Sequence, residues 1–148
     1  MFRKIIKTDK GETTILIRLM VGAVFLSEGI QKFLFADELG AGRFVKIGLP
    51  NADTLASFVG TLEILCGGLI LIGLITRLAA IPLFSTILVA IVITKLELVP
   101  SHGIWHMLHE SRTDWAMLLG SVFLYRKGGG RWSFDRLLFK RKNEKARR

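Results

Sequence analysis

The chain contains few residues of the kinds that build familiar catalytic motifs: its 148 residues include one cysteine, Cys66, three histidines and three prolines. A single thiol excludes an internal disulfide, a metal site made of several cysteines and a CxxC dithiol relay, so Cys66 is interpreted as a small buried apolar residue. No GxGxxG, P-loop, GxSxG or HExxH pattern occurs. The common nucleotide, hydrolase and zinc-protease chemistries therefore have no local support.

Hydrophobic residues are abundant instead, at 51% of the chain, and long apolar runs recur. A soluble domain of this length is rarely so apolar, so the sequence predicts an integral membrane protein. Four spans are predicted, at about 14–35, 54–75, 78–95 and 110–126. The fourth starts near Glu110 because its apolar core, Trp115 to Tyr125, is too short for about 30 Å of hydrocarbon. The predicted fold is all-α, a membrane-embedded four-helix up-and-down bundle.

The net charge of +9 is concentrated at the two ends of the chain. The positive-inside rule places both termini in the cytoplasm, and the clusters predict contact with anionic lipid rather than with nucleic acid. A cleaved signal peptide would also begin with basic residues, but the first apolar run continues to Phe35 without a polar break, which predicts a retained helix. The basic residues are Arg3, Lys4, Lys7 and Lys10 before the first span, and Arg126, Lys127, Arg131, Arg136, Lys140–Lys142, Lys145, Arg147 and Arg148 after the last.

These patterns divide the chain into a basic cytoplasmic segment at 1–13, a transmembrane domain at 14–126 and a basic juxtamembrane tail at 127–148. In the tail, Ser133 or Asp135 is expected to cap a short amphipathic helix that lies at the membrane interface.

Charged residues inside the spans need partners on other helices, because charge is costly in hydrocarbon. At ~100° per residue, the charges and glycines of the first span share one face, and Glu63 shares a face with glycines in the second. Up-and-down topology brings Glu28, Lys32, Glu63 and Asp114 into the outer half of the bundle together with Lys95. Arg18 lies deeper, where it would reach Glu63 or extend toward the cytoplasm. The predicted polar site consists of Arg18, Glu28, Lys32, Glu63 and Asp114.

Two interpretations of this cluster remain open. The charges would either pair with one another and fix the helix register, or line a polar cavity that binds or protonates a ligand. Three carboxylates, Glu28, Glu63 and Asp114, face few cations at that depth. This excess favours the cavity, with one carboxylate carrying a proton.

Weaker candidates precede the fourth span: His102, His106, His109 and Glu110 are ligand candidates. His102, His106 and Glu110 are spaced i, i+4, i+8 and would share a helix face, as metal ligands can. Histidine and tryptophan are also common at membrane interfaces, so no metal is predicted.

Several stretches resemble the DoxX family of small four-helix bacterial membrane proteins. They are RLMVGAVFLSEGIQKFLF (Arg18 to Phe35), GLP (Gly48 to Pro50), GTLEILCGGLILIGLITRLAA (Gly60 to Ala80), RTDWAMLLGSVFL (Arg112 to Leu124) and GGGRWSFD (Gly128 to Asp135). The resemblance covers about Thr14 to Asp135. It implies a multi-pass protein of the bacterial cytoplasmic membrane.

Some members of that family are linked to quinone-coupled sulfur oxidation or to membrane redox-defence complexes. The resemblance therefore implies a redox or quinone-linked membrane subunit, with quinone as a cofactor and a membrane-complex protein or a second copy as partner. Many members have histidine where this chain has Glu28, so a role of that histidine does not carry over. The alternative is a non-enzymatic membrane protein, either a pathway for small solutes or ions or a scaffold for a complex.

Overall fold

The computed structural model describes Ile6, Thr8, Asp9 and residues 11–145, with only the backbone of Phe139 and of residues 141–145. Within these residues the chain is helical and contains no β-strand. The predicted basic termini are therefore described only in part. Their members Arg3, Lys4, Lys7, Lys10, Arg147 and Arg148 lie outside the described residues.

The described chain forms a series of α-helices and one π-helical turn, Ile91–Lys95, which directly continues the α-helix that ends at Ala90. The α-helices are α1 (Thr14–Leu34), α2 (Ala41–Lys46), α3 (Ala52–Ile72), α4 (Thr76–Ala90), α5 (Leu98–His102), α6 (Ile104–Glu110), α7 (Arg112–Lys127) and α8 (Phe134–Lys145).

Three helices of the described chain are long and apolar enough to cross a membrane: α1, α3 and the continuous helix Thr76–Lys95. The predicted fourth span corresponds to α7, which is not among them. It has 16 residues, or about 24 Å of helix against about 30 Å of hydrocarbon.

The closest helix pair is α1 with α3, and glycines make that closeness possible. A Cβ atom added to Gly29 would lie 2.7 Å from the carbonyl oxygen of Gly60, and one added to Gly67 would lie 2.8 Å from the backbone nitrogen of Leu26. Both distances are shorter than van der Waals contact, so only glycine allows the two backbones to approach this far. The glycine faces identified in the sequence therefore lie where α1 and α3 meet.

The other long helices complete the arrangement: α3 packs on α4, α4 on α7, and α7 on α1. Buried apolar side chains from all four helices fill the space between them, among them Phe25, Ile70, Leu83 and Leu124.

The α3–α4 turn lies earlier in the chain than predicted, because α3 ends at Ile72 rather than near residue 75. Gly73 adopts the left-handed conformation (φ 72°, ψ 38°), and its N–H donates to the carbonyl of Ile70 at 3.1 Å. This is a glycine cap, which ends a helix by satisfying its last carbonyls. Helix α4 then begins at Thr76, and Pro82 lies inside it.

The two ends of the packed helices are named the basal end and the distal end. The basal end contains Thr14, the turn 73–75 and the segment Gly128–Asp135. The distal end contains Leu34, α2, the start of α3 and Lys95. Ser133 Oγ caps α8 at the basal end by accepting the N–H of Arg136 at 3.3 Å.

Candidate functional site

A cavity of about 570 Å³ occupies the distal half, between α1, α3, the helix Thr76–Lys95 and α7, with the segment around α2 lining it as well. Most of its wall is apolar. The apolar lining includes Val24, Phe25, Leu39, Phe44, Ile47, Leu49, Val59, Ile87, Ile93 and Met117. Charged side chains from each of these elements line the same space, so the cavity combines an apolar wall with a polar cluster.

Lys32 connects two carboxylates on one side of the cavity. Its Nζ atom donates a hydrogen bond to Glu63 Oε2 at 2.6 Å, and it lies 4.0 Å from Glu28 Oε2. The Glu63 side chain is 5% exposed, whereas that of Glu28 is 48% exposed. One ammonium group therefore stands between a buried and an accessible carboxylate.

A second ion pair lies on the other side, where Lys95 Nζ is 3.7 Å from Asp114 Oδ2. The same ammonium donates to the carbonyl oxygen of Glu110 at 3.1 Å. Lys95 is the last residue of the π-helical turn. A π-turn holds one more residue than an α-turn, so it changes the direction in which Lys95 leaves its helix. Nothing in the sequence pattern signals this turn.

Arg43 lines the cavity although it is not among the predicted site residues. It projects from α2 and lines the cavity, within electrostatic range of both Glu63 and Asp114. The available signal was a basic residue on a short amphipathic turn between two glycine-rich positions.

Arg18 is not brought together with the other predicted site residues. Its guanidinium is buried at the basal end, where Nε donates to the carbonyl of Ile70 at 2.9 Å and Nη1 donates to that of Gly129 at 3.1 Å. It also donates to the carbonyls of Leu71 and Trp132. The last carbonyls of α3 have no partners within the helix, so a cation there is favourable.

Asp135 makes the complementary contact beside Arg18. Its buried carboxylate accepts the N–H groups of Ile75 and Thr76, at 2.7 and 2.9 Å, at the start of α4. Ile75 has a positive φ of 44°, which is unusual for a β-branched residue, and these bonds hold it in place. Asp135 thus caps α4 rather than its own helix α8.

The histidine candidates do not form one helix face. Gly103, with φ 82° and ψ 167°, ends α5 at His102 and separates it from α6, which carries His106, His109 and Glu110. The rings of His102 and His106 stack at 4.9 Å across this break. All three histidines are exposed, and no three histidine, cysteine or acidic residues of the described chain are grouped as metal ligands. The expected i, i+4, i+8 set is therefore not formed.

Comparison with known proteins places the chain in a family. Residues 13–96, more than half of the chain, match DoxX. The uncharacterized membrane protein Rv3486 of Mycobacterium tuberculosis is 51% identical over 144 residues, covering 93% of this chain and 88% of the relative. The Bacillus subtilis protein named "Putative oxidoreductase CatD" is 30% identical over 130 residues, covering 87% and 89%. No solved structure matches. The chain is an integral membrane protein of the DoxX family.

Proposed function

We propose that the chain is a four-span subunit of a redox complex in the bacterial cytoplasmic membrane, and that its distal cavity binds the head group of a quinone. The observation that carries this proposal is the cavity, whose apolar wall adjoins a cluster of charged side chains. The name of the B. subtilis relative, which contains the word oxidoreductase, supports the same class of function.

In the proposed topology, α7 is the fourth span and both termini are cytoplasmic. Support comes from packing, because α7 contacts both α4 and α1 and thereby completes a ring of four helices. Support also comes from charge, because the basic residues of the tail follow α7 at the basal end. The distal cavity then faces the outer half of the membrane.

The cavity residues fit a quinone in size and chemistry. Small-molecule pockets have volumes of roughly 300–1,000 Å³ and mostly apolar walls, and the cavity of about 570 Å³ is of this kind. Lys32, Arg43 and Lys95 supply N–H donors for the two carbonyl oxygens of a quinone ring. The apolar wall formed by Phe25, Met117 and their neighbours suits the ring and the start of its tail.

A bound quinone supplies reversible two-electron, two-proton chemistry. The residues of this chain would orient the head group and exchange its protons with water. Glu63 Oε2 holds a proton-accepting position in the buried part of the cavity, and Lys32 Nζ fixes that carboxylate. Glu28 Oε2, on the exposed side of Lys32, gives protons a route to the outer aqueous phase.

The alternatives fit the structure less well. An ion pathway would have to continue from the distal cavity to the basal end, and buried apolar side chains such as Val21, Ile70 and Leu83 fill that region. A scaffold function is favoured by one observation: both cavity lysines are paired with carboxylates, as expected of charges that only hold the helices together.

The proposal is tested by purifying the full chain into lipid nanodiscs and identifying co-purified quinones, lipids and proteins by mass spectrometry, with a metal assay on the same sample. Binding of a short-chain naphthoquinone is then titrated. We expect saturable binding whose Kd rises about tenfold in Lys95→Met, because the substitution removes one proposed donor to the quinone but leaves the buried Lys32–Glu63 pair intact.

The matched control is Glu12→Gln, because Glu12 is an exposed basal carboxylate paired with Arg131. Its Kd should equal that of the wild type. Absence of both retained quinone and saturable binding would refute the quinone site, and co-purification of a stoichiometric protein without quinone would favour the scaffold.

A further inference from the structure

A group of apolar side chains at the basal end has no covering in the protein. Trp132, Phe134, Leu137 and Leu138 are exposed, Trp132 by 66%, and they occupy the start of α8 and the residue positions just before it. Phe134, Leu137 and Leu138 follow the i, i+3, i+4 spacing of one helix face. These four residues are called the basal apolar surface below.

The basal apolar surface is held at the ends of two membrane-spanning helices. Asp135 lies between its members, and its carboxylate accepts the N–H groups of Ile75 and Thr76. The N–H of Asp135 donates in turn to the carbonyl of Gly73 at 2.9 Å. Gly73 follows α3 and Thr76 begins α4, and the ends of spans lie at the lipid head groups. The surface is therefore fixed at the depth of the membrane interface.

The charge around this surface is strongly positive. Residues 126–148 contain ten lysines and arginines against two acidic residues, which gives +8 of the net +9 of the whole chain. Arg131 pairs with Glu12 and Lys127 with Asp9, so two N-terminal carboxylates offset only part of this charge. Arg136 and Lys140 also lie on α8, about 100° and 60° around the helix from Leu137 at ~100° per residue.

We infer that residues 131–140 form a docking surface for anionic phospholipid, with the basal apolar surface inserted at the acyl boundary and Arg136 and Lys140 at the phosphates. Exposed aromatic and aliphatic residues flanked by basic ones are the composition by which interfacial helices bind anionic membranes. Charge complementarity selects this occupant, because a zwitterionic lipid or a neutral protein would leave the positive charge uncompensated. The inference is independent of the proposed redox function and of which side of the membrane the basal end faces.

The test uses tryptophan quenching by brominated lipid in nanodiscs that contain equal amounts of phosphatidylglycerol and phosphatidylcholine, with only one of the two brominated. A full-length protein with Trp105→Phe and Trp115→Phe keeps Trp132 as its single tryptophan. We expect brominated phosphatidylglycerol to quench Trp132 at least 1.5-fold more strongly than brominated phosphatidylcholine, as an order-of-magnitude estimate from local enrichment of anionic lipid.

Two control proteins show whether stronger quenching by phosphatidylglycerol depends on the basic residues near Trp132. A protein that keeps only Trp105, which is exposed and has no lysine or arginine within six residues of it in the chain, should be quenched equally by both lipids. Adding Arg136→Gln and Lys140→Gln to the Trp132 protein should bring its quenching ratio to about one, because each basic residue near the surface contributes roughly fivefold to anionic-lipid affinity.

Equal quenching of Trp132 by the two lipids would overturn the inference, and so would no quenching by either, which would indicate a protein partner instead. Hydrogen exchange of the unmodified protein provides a second measurement if the single-tryptophan variants do not fold. Amides of α8 should exchange about tenfold more slowly in nanodiscs with phosphatidylglycerol than without it, and equal rates would contradict the proposal.

Discussion

Replacing Arg18 with methionine should destabilise the protein more than any other single substitution of an arginine in the described chain. The guanidinium is buried and donates to four backbone carbonyls, two at the end of α3 and two in the segment that follows α7. Arg18→Met keeps an unbranched side chain of similar length and removes every one of these donors. The change therefore measures the loss of the hydrogen bonds while the packing of the apolar part of the side chain is kept.

The expected loss follows from two opposing contributions. Hydrogen bonds to a charged group are worth about 1.5–3 kcal/mol each, so four of them approach roughly 6–12 kcal/mol. The cost of burying the charge offsets a large part, and removal of one partner from a buried ionic site costs about 3–5 kcal/mol net. A chain of this size melts about 2–4 °C lower per kcal/mol lost, which gives a decrease in Tm of about 10 °C.

Thermal unfolding in a mild detergent measures this decrease. Arg126→Met is the matched control, because Arg126 is an exposed arginine near the same basal end. Its change in free energy of unfolding should stay within about 0.5 kcal/mol. Arg18→Lys should give an intermediate Tm, because an ammonium keeps the charge but lacks the planar fork that reaches several carbonyls. A Tm for Arg18→Met within 2 °C of the wild type, measured in the same experiment, would refute this account of Arg18.

Three further substitutions test other parts of the structure. Glu63→Gln should lower the free energy of unfolding by about 1–3 kcal/mol and weaken ligand binding in the cavity, and a wild-type Tm would show that Glu63 is not a buried partner. Gly67→Ala should cost about 1–3 kcal/mol through overpacking between α1 and α3. Gly68→Ala, with open space around the added Cβ, should be neutral or stabilising by up to about 1 kcal/mol, and equal effects of the two would contradict the proposed close packing. Asp135→Asn should speed hydrogen exchange in the α3–α4 turn about tenfold, as expected for loss of a cap worth about 1–2 kcal/mol, and unchanged exchange would show that the carboxylate does not hold the turn.

The sequence predicts the features that depend on hydrophobic periodicity and on the free-energy cost of placing charge in hydrocarbon. Apolar runs predict α1, α3 and α4, and the glycine faces predict close approach by another helix, because only glycine fits where two backbones nearly touch. The expense of charge in hydrocarbon predicts that Lys32 and Glu63 need partners, and the structure pairs them with each other. That these residues form a functional site stays a prediction.

The sequence does not predict contacts between a side chain and backbone groups distant in the chain. Arg18 and Asp135 both bind main-chain atoms at the α3–α4 turn, and main-chain atoms carry no residue-specific signal. The π-turn that ends at Lys95 is likewise not signalled by any residue pattern. The break at Gly103 depends on a single positive φ angle, which a glycine permits without requiring it.

Charged residues therefore have different functions at the two ends of the molecule. At the basal end, Arg18 and Asp135 satisfy the backbone at the end of α3 and the start of α4, so they fix the positions of these helices. At the distal end, Lys32 is shared between two carboxylates and Lys95 lies 3.7 Å from its partner. The two longer pairs, Lys32 with Glu28 and Lys95 with Asp114, lose less when a ligand replaces them than the 2.6 Å hydrogen bond between Lys32 and Glu63 would. The basal contacts and the Lys32–Glu63 pair thus hold the helices in place, and the longer pairs are the ones that a ligand in the cavity would displace.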